Sequence, residues 1–251
     1  MRKSNQTLKR LHGRRALVTG ASRGIGAAVA LLLARQGADV AINFRSKGSR
    51  AEEIGARVRA LGQRSLLAQA DLTDEDGVAT MMRSVQETFG HLDILVLNAS
   101  GGLEKDKPAS YAMELNLTAQ VRMLEAALPL MRGGGCVVFV TSHWAHFHGR
   151  KPVYEAYEAI AASKKAGEDA LRSRLPEFEA RGLRLAIVSG DMIDGTITPK
   201  LLERTQRGLI AGRREQVGAL PTVQEFAAAI VDAAADAGRV NGQVSFVGPI
   251  D

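Results

Sequence analysis

Hydrophobic positions along this chain follow two rhythms: short uninterrupted apolar runs, and longer stretches in which apolar residues return every three or four positions. An uninterrupted run suits a strand buried on both faces, and the longer spacing suits a helix lying across it. Strands are predicted at 16–18, 38–43, 65–69, 92–97, 136–142, 183–188 and 243–247. Helices are predicted from Gly24 onward, over 49–61 and 75–89, around 113–118, from Tyr154 to Glu168, over 199–209 and over 222–237. Strand and helix taken in turn give an α/β chain with a doubly wound parallel sheet of about seven strands flanked by helices.

The chemistry concentrates where the first apolar run breaks into glycine. Thr19-Gly20-Ala21-Ser22-Arg23-Gly24-Ile25-Gly26 reads as strand end, loop and helix start. Gly20 permits a sharp turn, Gly24 a close backbone approach to a ligand, and Gly26 close packing of helix on strand, which leaves N–H groups at the helix N-terminus for a pyrophosphate. The expected fold is a single-domain Rossmann fold and the expected occupant a dinucleotide. At the end of the second strand, after Asn43, an acid would hold the ribose of NAD. Arg45 and Ser46 stand there instead, and Arg23 reaches toward the same place, so NADPH/NADP is favoured through guanidinium pairing with the 2′-phosphate.

This Thr-Gly-x-x-x-Gly-x-Gly start, with the alternating strands and helices after it, resembles the short-chain dehydrogenase/reductase family over nearly the whole chain. The resemblance implies adenine contacts from Asp71 and Leu72, and a cofactor turn at Asn98, Ala99 and Ser100, followed by Gly101-Gly102. Ser100 replaces a usual glycine, which reads equally as a substrate contact or as turn chemistry. It implies a helical Asn116 supporting a water that bridges to the active-site lysine, Ser142 as the serine that orients the substrate carbonyl, and Lys164 as the lysine of the nicotinamide ribose. Asn116 by itself also reads as a satisfied core residue. Ser189-Gly190 stands for the usual Pro-Gly, with Met192, Ile193 and Thr196 beside the nicotinamide, and residues 191–220 correspond to a lid over the substrate. A homo-oligomer, dimer or tetramer, is the family habit.

One departure matters. The family places a tyrosine four residues before the lysine, where it protonates the carbonyl; here that position is Ile160. The other tyrosines do not restore the pair, because Tyr111 is followed at four by Leu115, Tyr154 by Glu158 and Tyr157 by Ala161. On a continuous helix Tyr157 shares a face with Ile160 and Lys164 but lies two turns away, about 10 Å along the axis. The preceding loop, His143-Trp144-Ala145-His146-Phe147-His148, admits a metal site, a general-acid histidine, or an aromatic wall for a flat ligand. The third reading makes Ser100, His143, Trp144, His146, Tyr157, Ile160 and Met192 the substrate wall, with no metal.

Totals adjust this picture little. At 251 residues and 45% hydrophobic, one domain over 14–251 is expected. Lys and Arg number 33 against 27 acids, and Arg2, Lys3, Lys9, Arg10, Arg14 and Arg15 crowd the start. That excess reads as a solvated basic tail over 1–13, with no nucleic-acid partner. The single Cys136 excludes an intrachain disulfide, and no apolar run is long enough to span a bilayer, so a reducing, cytoplasmic setting without a membrane partner is expected. The resulting expectation is an NADPH-dependent ketoreductase lacking the usual tyrosine. It would act on a large, angucyclinone-like aromatic polyketide, a polycyclic ketone whose neighbouring phenol supplies the proton. The alternatives are a catalytically silent NADP-binding sensor or scaffold, and a reductase of small ketones using Tyr157 or His146 as acid.

Overall fold

The strands β1 (Arg15–Val18), β2 (Asp39–Phe44), β3 (Ser65–Gln69), β4 (Leu92–Leu97), β5 (Met131–Ser142), β6 (Arg184–Gly190) and β7 (Val244–Val247) pair in one parallel sheet, in the order β3-β2-β1-β4-β5-β6-β7. They come from a computed structural model that describes residues 9–104 and 107–250. Between the strands run α1 (Gly24–Arg35), α2 (Gly48–Ala60), α3 (Glu75–Phe89), α4 (Tyr111–Met113), α5 (Ala119–Ala127), α6 (His143–His146), α7 (Glu158–Arg172), α8 (Leu175–Ala180), α9 (Ile197–Thr205), α10 (Leu209–Val217) and α11 (Val223–Ala235).

Alternate residues of each strand feed opposite cores. Ala16 and Val18 of β1, with Val138 and Val140 of β5, pack against Val29 and Leu33 of α1 and Phe226 and Ile230 of α11. Leu17, Val137 and Phe139 pack on the other side with Val85 of α3 and Met123 of α5. Burial on both faces is why the strands read as apolar runs, and each fully buried Leu or Val contributes about 1.5–3 kcal/mol. The strand order reverses between β1 and β4, and there the loops after the two strands part to leave a crevice.

Four expectations need correction. β5 begins at Met131, which pairs with Leu92 before the register shifts ahead of Ile94 and Cys136; the exposed Arg132-Gly133-Gly134 carries no apolar alternation to read. The tail expected over 1–13 is tied down before its end: Leu11 is buried in the core, its N–H donates to the Gln36 carbonyl at 2.9 Å, and Arg10 pairs with Asp232. One apolar side chain in a slot beside α1 outweighs the solvation of its charged neighbours, while residues 1–8 lie outside the described residues. The lid segment is two helices, α9 and α10, parted at Gly208, whose φ of +83° suits glycine. The helix expected from Tyr154 starts later, since Glu155–Tyr157 forms a separate 3₁₀ turn before α7.

Between α4 and α5, Glu114–Thr118 forms one wide π-turn, and α7 crosses it at Gly167. A Cβ on Gly167 would overlap the Asn116 carbonyl oxygen, a backbone atom that cannot swing aside. Gly167→Ala is expected to destabilise the protein by about 3 kcal/mol through overpacking, read as a lower midpoint in urea unfolding with an unchanged m-value.

Candidate active site

The crevice is a cavity of about 640 Å³ running from the glycine loop past the end of β2 to the ends of β5 and β6. At one end Gly20 (φ +64°) and Gly24 (φ +55°) take conformations that other residues resist. Asn43, buried, accepts the Gly20 N–H at 3.1 Å and donates to the carbonyls of Ala68 (3.1 Å) and Ala70 (3.3 Å), so it staples the loop to β3. Thr19 Oγ1 accepts the N–H groups of Asn98 and Ala99, each at 2.9 Å, and Asn98 Nδ2 donates to the Thr19 carbonyl at 2.8 Å. A Cβ on Gly26 would lie 2.5 Å from the Gly20 carbonyl oxygen, so only glycine lets α1 sit this close. No side chain caps the N-terminus of α1, and Ser22, Arg23, Gly24, Ile25 and Gly26 all line the cavity. Free helix-start N–H groups beside an open backbone fit a diphosphate.

Farther along, Arg45, Ser46, Asp71, Leu72, Ala99 and Ser100 line the wall, as the sequence predicted. Arg45 Nη1 donates to the Tyr111 hydroxyl at 2.8 Å and stands 4.0 Å from the Asp71 carboxylate. Tyr111 escapes a reading of the sequence, because tyrosine-to-lysine spacing carries no signal for a phenol that meets an arginine 66 positions away.

The far end holds Ser142, Trp144, Tyr157, Ile160, Lys164 and Met192. Tyr157 closes the 3₁₀ turn just ahead of α7, and its hydroxyl lies 3.2 Å from Ser142 Oγ. The phenol comes to the serine from the 3₁₀ turn, a contact that spacing does not announce, while Ile160 stands at the usual tyrosine position. Burial raises the Tyr157 pKa and the Ser142 hydrogen bond opposes that rise. Lys164 has no hydrogen-bond or ion-pair partner among the described residues, and desolvation lowers its pKa to about 8. A buried donor facing the crevice fits ribose hydroxyls.

Several predicted site residues sit behind the wall. Asn116 Nδ2 donates to the Gly101 carbonyl (2.9 Å) and Ser163 Oγ (3.0 Å), holding the 98–102 turn against α7 rather than facing the crevice. Ser189 is occupied by His143 Nδ1 at 2.8 Å, and Gly190 packs on Phe226. The three loop histidines diverge: His143 to Ser189, His146 to the buried Glu168 at 2.9 Å, and His148 to Glu158 at 2.7 Å. The placement of His143 and His146 in the substrate wall is therefore corrected, because each ring is drawn toward its own partner behind α6. His143 lines a separate hollow of about 330 Å³. Trp144 faces both cavities and meets Tyr154 and Tyr157 edge-on, at centroid distances of 5.0 and 5.5 Å.

The buried lysine gives a test of this geometry. Its folded pKa of about 8 lies below the ordinary 10.5, so within that window the unfolded chain holds the extra proton and stability from this residue rises with pH. Lys164→Met is expected to be more stable than the parent at neutral pH. The gap should close by about 3 kcal/mol as pH rises through the window, measured by urea unfolding of both proteins.

Comparison with known proteins bears on the same residues. Residues 14–206 match the short chain dehydrogenase family. The hydroxynaphthalene reductase arp2 of Aspergillus fumigatus is 36% identical over 180 residues, 68% of this chain and 63% of that protein, so the chain spans less than two thirds of that relative. A short chain dehydrogenase from Burkholderia cenocepacia J2315, solved in complex with NADP, superposes with a TM-score of 0.83 at 32% identity, over 95% of this chain and 98% of that one. The promiscuous reductase LugOII, which catalyses keto-reduction during lugdunomycin biosynthesis, superposes with a TM-score of 0.81 at 26% identity, over 96% and 99%. With the family match covering most of its length and the crevice built as described, this chain belongs to the short chain dehydrogenase family.

Proposed function

We propose that this protein is an NADPH-dependent ketoreductase acting on a carbonyl of a polycyclic phenolic aromatic, and that a substrate phenol beside the carbonyl supplies the proton. The observation that carries the reading is that Ser142 and the Tyr157 hydroxyl stand together in the crevice, while the position four residues before Lys164 is the aliphatic Ile160. The reductases named above, one for hydroxynaphthalene and one in lugdunomycin biosynthesis, support the substrate class. So does a narrower resemblance to the angucyclinone ketoreductase of simocyclinone biosynthesis, carried by Ile160, Ser142, the Trp144 loop and residues 189–193.

NADPH, when bound, supplies the hydride. The glycine loop and Arg45 would hold its phosphates, and Lys164 would donate to the nicotinamide ribose. Ser142 Oγ already accepts the Ala145 N–H at 3.2 Å, which leaves its own proton to donate to the substrate oxygen. Tyr157 is a second donor at the same place. Transferring its proton would leave a phenolate in a desolvated site with the Ser142 hydroxyl as its hydrogen-bond partner, a costly state, so it orients the carbonyl and stays neutral. A substrate phenol adjoining the carbonyl passes its proton to the developing alkoxide, and its phenolate is delocalised over the ring and reprotonated by solvent. Trp144 supplies a flat wall for such rings.

A second reading, Tyr157 as the acid for an ordinary ketone, is favoured by its 3.2 Å approach to Ser142. His146 is not a candidate, because the buried Glu168 holds it. NADPH consumption with a bicyclic aromatic ketone, with and without a hydroxyl beside the carbonyl, separates the readings. Loss of that hydroxyl is expected to lower kcat/KM by about 10²–10⁴, and Tyr157→Phe to lower it only about tenfold. Equal rates on both ketones, together with a collapse in Tyr157→Phe, would assign the proton to Tyr157. NADPH binding without consumption across such ketones would overturn the reductase.

A further inference from the structure

Arg45 is the side chain on which the NADPH reading turns, yet in this structure it is not a free surface cation. Its guanidinium is contested by two groups of opposite effect. Asp71 Oδ2 lies 4.0 Å from Nη1, and the Asp71 carboxylate is itself held in place by Thr73, whose N–H (3.1 Å) and hydroxyl (2.8 Å) both donate to Oδ1. Against that pull, Nη1 donates to the Tyr111 hydroxyl at 2.8 Å. Tyr111 is well suited to win, because its ring is buried in the core formed with α3 and α5, and its N–H is fixed by the Pro108 carbonyl at 2.9 Å. Gln69 Nε2, donating to the Arg45 carbonyl at 3.1 Å, pins the backbone under the same residue.

We propose that Tyr111 is the positioning residue of the adenosine 2′-phosphate site, holding the Arg45 guanidinium off the Asp71 carboxylate and aimed into the crevice. The inference rests on the reading of Arg45 as the phosphate ligand and names what makes that ligand effective. A long arginine side chain loses rotamer freedom when it grips a phosphate, and a guanidinium already fixed by a buried phenol has lost much of it beforehand. A guanidinium collapsed onto a carboxylate would meet the phosphate with its charge largely spent and a negative group beside it. The hydroxyl accepts from Arg45 through its oxygen, so its proton remains available and the arginine keeps its other N–H groups for the phosphate. Losing the hydroxyl therefore harms NADPH binding selectively. NADH, with no phosphate at that position, does not draw on Arg45 and serves as the internal control for folding.

The experiment is fluorescence titration of the full chain with NADPH and with NADH, supported by calorimetry with adenosine 2′,5′-bisphosphate, on Tyr111→Phe, Arg45→Ala and the double variant. Tyr111→Phe is expected to weaken NADPH and the bisphosphate about tenfold and to leave NADH within about twofold. In the Arg45→Ala background the same substitution should add no further loss, because the phenol acts only through the arginine. Equal weakening of NADPH and NADH by Tyr111→Phe, or a full additional loss in the double variant, would overturn the inference while leaving Arg45 as the phosphate ligand. An NADPH-to-NADH preference unchanged in Arg45→Ala would overturn the reading of Arg45 as the phosphate ligand, and this inference with it.

Discussion

The crevice depends on one latch. Thr19 sits at the end of β1, and its hydroxyl oxygen takes both the Asn98 and Ala99 N–H groups from the end of β4, while Asn98 returns a bond to the Thr19 carbonyl. These are the two strands whose order reverses, so the chains leaving them run in opposite directions over the sheet edge. Three bonds hold the two departures in register. Asn43 does the same on the β2 side by taking the Gly20 N–H. With loop backbones satisfied by residues behind them, the first turn of α1 keeps its own N–H groups for something else. A floor built this way tolerates no added bulk, as the 2.5 Å approach of a hypothetical Gly26 Cβ to Gly20 shows.

At the other end of the crevice the arrangement of titrating groups is unusual for its chemistry. A phenol, a serine and a lysine all face it, but only the first two touch. A lysine beside the phenol would favour the phenolate and lower its pKa. Here the largest influence on Tyr157 is desolvation, which raises it, and the largest on Lys164 is also desolvation, which lowers it. Both groups are pushed toward neutrality by the same apolar surroundings, to which Ile160, Met192 and Leu202 contribute. A phenol held neutral by burial makes a good orienting donor and a reluctant acid, which is why the acid is sought on the substrate.

Where the sequence carried a period or a forced conformation, it read through to the structure. The strands at 65–69 and 92–97 and the helix at 75–89 fall where the apolar pattern placed them. The glycine loop, Arg45, Asp71, Leu72, Ser142 and Lys164 all line the crevice. What escaped depended on contacts between distant residues. Nothing local says that a 3₁₀ turn ends at Tyr157 or that its hydroxyl meets Ser142, 15 positions away. Nor does spacing say that His146 finds Glu168, 22 positions away, or that Tyr111 reaches Arg45 across 66. Asn116 has the residue type expected of it, but its bonds to Gly101 and Ser163 make it a brace for the turn.

The replaced Pro-Gly, at the last two residues of β6, shows how one constraint substitutes for another. A proline there would fix the chain through its ring, and Ser189 gives up that rigidity. In its place Ser189 pairs with His143, and the next residue but one, Asp191, accepts from the Arg213 guanidinium of α10 at both Nε (3.1 Å) and Nη2 (2.9 Å). Both members of that pair are buried, so the cost of desolving them offsets much of their attraction and little net stability follows. What the pair does fix is geometry, since a fork meeting a carboxylate tolerates few orientations. Asp191 also accepts the Met192 N–H at 2.6 Å, and Met192 lines the crevice. A displacement of α10 must therefore be felt at Met192, in the crevice that Ser142 and Tyr157 also line, so the same bonds that stand in for the proline tie the position of α10 to the crevice wall.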